Sequence, residues 1–170
     1  FSATIDWGDG MTEPLTDITV NESPGAEGSP TRATVQAKHA YGDNGLYTVT
    51  LTVTDDDDGA DVKTFEVSVK NSSPTIAALP NLITNEGSFI ELPPASFTDA
   101  GFDNPAGKTA EDFSATIDWG DGTNEPAADI ALLETSGAEG VATRGTVQAR
   151  HAYGDDGLYT VTLTLKDDDG

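Results

Sequence analysis

The chain has 170 residues, 36% of them hydrophobic, with 30 acidic and 8 basic side chains, a formal charge of −22 and no cysteine. A surface this negative repels phosphate backbones and anionic lipid headgroups, which argues against nucleic acid and anionic membrane surfaces as partners, while the apolar content is that of a packed chain and not a disordered one. The absence of cysteine rules out a disulfide framework, so the fold rests on core packing, and no apolar run is long enough to span a bilayer or read as a signal peptide.

Period-two alternation predicts strands in chain order. In FSATIDW (1–7), Phe1, Ala3, Ile5 and Trp7 share one face and Ser2, Thr4 and Asp6 the other, a half-buried strand. Gly8 and Gly10 then flank Asp9 in a tight turn. After a loop over ESPGAEGSP (22–30), TRATVQAKHA (31–40) reads as a strand. LYTVTLTVT (46–54) alternates Tyr47, Val49, Leu51 and Val53 against threonines, and VKTFEVSVK (62–70), with Phe65, Val67 and Val69 inward, follows the acidic turn DDDDG. Residues 46–70 are therefore expected to form a hairpin. NSSPTIAALP (71–80), entered through the extended backbone that Pro74 imposes, is the expected linker. PTIAAL and SFIELP supply two further strands, and FTDAGFDNPAGKTAED (97–112) reads as a long loop. No window carries a helical apolar stripe, so the fold class is all-β, with antiparallel sandwiches of two sheets.

Residues 1–58 recur at 113–170 without a gap, with about 41 of 58 paired positions identical. A unit this long is a duplicated domain and not a solenoid repeat. The expected division is a partial domain at 1–70 and a second at 71–170. On this reading the first copy lacks the strands that residues 74–92 give the second, and the second lacks a counterpart of residues 60–70. Completion by continuing chain, or by an identical neighbour donating a strand, makes the object a linear assembly of repeat units.

The combination of IDWGDG, HAYGD(N/D)GLYTVTLT and DDDG closely resembles the polycystic kidney disease (PKD) domain family, above all its tandem bacterial versions. The resemblance covers nearly the whole chain and implies immunoglobulin-like sandwiches on extracellular or cell-surface proteins. It implies a non-enzymatic structural role as a stalk, adhesin shaft or fibril; the alternative is a carbohydrate-contacting accessory region of a secreted hydrolase or adhesin, with polysaccharide as partner.

Individual residues carry two readings each. Trp7 is a core anchor or an exposed sugar platform. Tyr41 and Tyr47 bracket Gly42 and Gly45 as in the corner where a tyrosine hydroxyl ties a loop to backbone. His39 and His151 occupy the same slot in the two copies and read as hydrogen-bonding residues at strand ends, the alternative for His39 being a ligand. Catalysis finds no footing: there is no cysteine, no G-x-S-x-G elbow, and each copy has one histidine without a closely spaced partner. Hard oxygen donors for Ca²⁺ are plentiful, yet the EF-hand register fails, since Gly59 as the sixth-position glycine puts Phe65 where a bidentate Glu is needed. In an immunoglobulin-like order Asp9, Asp43, Asn71, Asp99, Asp103 and Asp167 are expected to converge at the junction between units as a Ca²⁺ site. The competing reading is that these aspartates cap turns. The sequons at Asn21 and Asn71 add a candidate for glycosylation in an extracellular setting.

Overall fold

The computed structural model describes residues 1–11, 17–125 and 129–170; the loop following Gly10 lies partly outside them. Among the described residues there is no α-helix, and every paired strand is antiparallel. The chain divides into two compact units. Unit 1 comprises Phe1–Lys70 with Asn104–Thr109, and unit 2 comprises Asn71–Asp103 with Ala110–Gly170.

In unit 1, β1 (Ser2–Asp6), β4 (Gly45–Thr54) and β5 (Ala60–Val69) form a sheet in the order β1-β4-β5, and β2 (Thr19–Ser23) pairs with β3 (Arg32–Gln36). The β4–β5 hairpin runs in register from Gly45 opposite Val69 to Thr54 opposite Ala60. Its acidic turn has a local cause: Asp55 Oδ1 accepts hydrogen bonds from the Asp57 N–H at 3.1 Å and the Gly59 N–H at 2.7 Å, and Asp58 takes a left-handed φ of 66°. The expected inward placement of Phe65 does not hold, for its side chain is 51% exposed.

Unit 2 contains β6 (Thr75–Ile76), β7 (Phe89–Glu91), β8 (Ala95–Asp99), β9 (Phe113–Asp118), β10 (Asn124–Glu125), β11 (Ala131–Thr135), β12 (Thr143–Gln148), β13 (Arg150–Ala152) and β14 (Thr162–Asp167). Its sheets have the orders β10-β9-β14, β11-β12-β8-β6 and β13-β7. The core is Leu92, Ala95, Phe97, Ala115, Ile117, Trp119, Val147, Ala149 and Tyr153, drawn from facing strands of the two larger sheets and their flanks. Burial of each large side chain in it contributes about 1.5–3 kcal/mol. The loop expected over 97–112 begins later, because residues 97–99 end β8. Their alternation is real: Ala95, Phe97 and Asp99 are buried while Ser96 and Thr98 face water.

Candidate cation centre and the duplicated aromatic box

Two strands of unit 2 and the segment leading into a third deliver carboxylates to one end of the core by the same period-two rule that fills it. Along β8 the inward positions are Ala95, Phe97 and Asp99. Along β14 they are Leu163, Leu165 and Asp167. Two residues before β9, Glu111 continues the inward series Phe113, Ala115 and Ile117. Asp99, Glu111 and Asp167 are 4%, 8% and 6% exposed, and each offers an oxygen within 4.8 Å of the others.

Hydrogen bonds hold Asp99 and Asp167 and leave one oxygen of each unpartnered. Asp99 Oδ1 accepts from the Gly101 N–H at 2.7 Å, and the Thr143 hydroxyl donates to the Gly101 carbonyl at 2.7 Å, pinning that turn. A β-carbon on Gly101 would collide with Glu111 Oε2 and lie 3.2 Å from Asp99 Oδ1, so a larger residue there would displace the Glu111 carboxylate from the cluster. Asn71 Nδ2 donates to Asp167 Oδ2 at 3.0 Å. Asp99 Oδ2 and Asp167 Oδ1 are buried without any hydrogen-bond partner, a condition that costs about 1–3 kcal/mol per group and more when it is charged. Burial pushes the Asp99 carboxyl above its usual range, with the charges of Asp167 and Asp168 adding to the rise and the N–H groups of Gly101 and Ala100 opposing it.

Of the six residues expected to converge, Asp9 and Asp43 belong to unit 1 and Asn71, Asp99, Asp103 and Asp167 to unit 2. Asn71, Asp99 and Asp167 come together in unit 2. Asp103 stands beside them as a buttress, its Oδ1 accepting from the Glu111 N–H at 2.9 Å and its Oδ2 from the Ser136 hydroxyl at 2.7 Å. Asp9 belongs to unit 1, where its oxygens accept from the Met11 N–H at 3.1 Å and Asn104 Nδ2 at 3.3 Å and meet His39 Nε2 at 2.8 Å. Asp43, also in unit 1, presents its carbonyl to the Tyr47 hydroxyl at 3.0 Å. Glu111 was hidden from the sequence reading inside the loop assigned to 97–112. Extending the FSATIDW alternation back by two residues would have found it. A second acidic group, Glu86, Asp155 and Asp156, is exposed and stays hydrated.

The histidines sit in a box present in both units. His39 stacks on Trp7 at 4.9 Å and Tyr41 on Tyr47 at 4.3 Å, while the Tyr41 hydroxyl donates to the Trp7 carbonyl at 3.1 Å. In unit 2, His151 stacks on Trp119 at 4.9 Å, Tyr153 stacks on Tyr159 at 4.2 Å, the Tyr153 hydroxyl donates to the Trp119 carbonyl at 3.0 Å, and His151 Nε2 meets Asp121 Oδ2 at 2.8 Å. The hydroxyl and N–H of Thr123 hold the Asp121 carboxyl down to about 2, with His151 assisting. Trp119 is 1% exposed and Trp7 half-buried. Both imidazole–carboxylate pairs thus clamp the W-G-D-G turn to the segment that carries the histidine, which follows β3 in unit 1 and is β13 in unit 2.

Comparison with known proteins agrees with this architecture. Residues 3–69 match the family model described as the PKD domain. No curated protein and no solved structure gives a significant match.

Proposed function

We propose, from the premise that the chain belongs to the PKD domain family through residues 3–69, that it is a non-enzymatic extracellular structural protein whose tandem β-sandwich units form a surface stalk, adhesin shaft or fibril. PKD domains are generally non-catalytic immunoglobulin-like domains and typically extracellular, and no helix among the described residues is long and apolar enough to cross a membrane. The observation that carries the proposal is the duplicated box. In both units the side chains with the most chemical potential, a histidine, its aspartate and two tyrosines, are consumed in holding a turn. Such a unit transmits load through antiparallel hydrogen-bonded strands and offers little to a substrate. The net charge of −22 keeps neighbouring shafts apart at low salt.

Carbohydrate contact has less behind it, because a sugar platform needs an exposed indole face and Trp119 is enclosed. Two measurements on the natural protein test the reading together. Its denatured mass is expected to exceed this segment by several repeat units, and protease applied to intact cells should remove it. A short polypeptide protected inside the cell contradicts the proposal.

A further inference from the structure

The carboxylate cluster of unit 2 is more than an acidic surface. Buried polar groups are ordinarily hydrogen-bonded, yet Asp99 and Asp167 each keep an unpartnered oxygen out of water beside a third carboxylate. Unit charges about 4 Å apart repel by about 1 kcal/mol in water and about 4 kcal/mol at the effective dielectric of a protein surface. Bound positive charge, a proton or a cation, relieves that repulsion. We propose that Asp99, Glu111 and Asp167 form a binding site for a divalent, oxygen-seeking cation, Ca²⁺ by size, at one end of the unit 2 core.

The geometry selects the ion. For three oxygens mutually within 4.8 Å, a point exists within about 2.8 Å of all three, so a modest contraction reaches the roughly 2.3–2.6 Å of Ca²⁺–oxygen bonds. Mg²⁺ demands about 2.0–2.1 Å and a near-ideal octahedron and keeps several of its waters, so a buried cluster of three carboxylates suits it less well. Asn71 and Asp103 are positioning residues, the first holding Asp167 and the second holding the Glu111 backbone. The inference stands independently of the structural role proposed above.

Calorimetric titration of CaCl₂ into the full 170-residue chain, paired with thermal unfolding in Ca²⁺, in Mg²⁺ and in EDTA, tests it. One tight site per chain is expected, with a melting temperature that climbs with Ca²⁺ and much less with Mg²⁺. Glu111→Gln and Asp167→Asn should each weaken binding at least tenfold, and Asn71→Ala by about tenfold as an outer partner. In EDTA, Glu111→Gln should melt above the unmodified chain, since it removes repulsion, a readout that a merely misfolded variant cannot give. Replacing Glu86, Asp155 and Asp156 together by amides should leave the tight site intact. No saturable Ca²⁺ binding, binding unchanged in Glu111→Gln, or loss of the site in the Glu86 triple variant would each overturn the assignment.

Discussion

The ring of Phe97 covers the α-carbon of Gly145 so closely that a β-carbon there would lie 2.3 Å from Cζ and 2.6 Å from the Leu133 carbonyl oxygen. Phe97 is enclosed and packs on Phe113 at 4.8 Å between centroids, so it has nowhere to go. The matching residue of the other copy is Ala33, exposed on β3. Gly145→Ala is therefore expected to destabilise unit 2 by about 1–3 kcal/mol through overpacking. Ala33→Gly should cost about 0.5–1 kcal/mol, the backbone-entropy difference alone. Denaturant unfolding of the two variants measures both, and equal losses would mean that Phe97 does not set the choice of glycine.

Trp119 anchors the unit 2 core and is 1% exposed. Trp119→Ala should cost about 3–5 kcal/mol, whereas Leu158→Ala, at a side chain 100% exposed, should change stability by less than about 0.5 kcal/mol. A small loss at Trp119 accompanied by weakened polysaccharide binding would favour the carbohydrate reading instead.

The Asp121 carboxyl is held at about 2 against an ordinary value of 3.8. A lowered folded-state value means that the ionised group adds stability above about pH 4, and that this contribution fades as pH falls through about 2. Asp121→Asn should thus melt below the unmodified chain at neutral pH, with the gap narrowing between pH 4 and pH 2. A gap that stays constant over that window would remove the titration as its cause.

In unit 1, β4 is paired along its whole length with β5, Gly45 opposite Val69. In unit 2 the equivalent stretch GLYTV (157–161) lies outside any strand, β14 starts at Thr162 as an edge strand, and Leu158 and Val161 are exposed. A peptide of residues 60–70 should add to this edge in the β4–β5 register, slowing amide exchange over 157–166. A scrambled peptide that protects equally, or no protection at all, would show that the edge has no such preference.

Much of the scaffold was legible because a pleated strand alternates its faces. FSATIDW and LYTVTLT displayed β1, β4 and β9 directly, and the tyrosine corner followed from the spacing of Tyr41 and Tyr47. The strands missed are those whose inward residues are not apolar or whose neighbours are turn formers. β8 was absorbed into the loop at Phe97 because its last inward residue is Asp99, and β2 and β11 have only Val20 and Leu132 half-buried. PTIAAL shrinks to Thr75–Ile76, its continuation leaving the edge of the sheet before Pro80. For the candidate site, sequence pattern reached Asn71, Asp99 and Asp167 but passed over Glu111. A carboxylate at an inward position looks like a loop residue until the opposite strands show that it has company.

The central claim is that these sandwiches are links in a linear structural array, and electron microscopy of the natural polypeptide tests it most directly. A unit of about 100 residues has a radius of gyration of about 13 Å, which for a compact body corresponds to a diameter of about 35 Å. The account predicts thin, beaded, unbranched particles with an axial repeat near that value or somewhat above it. Single compact particles with no axial repeat would contradict it.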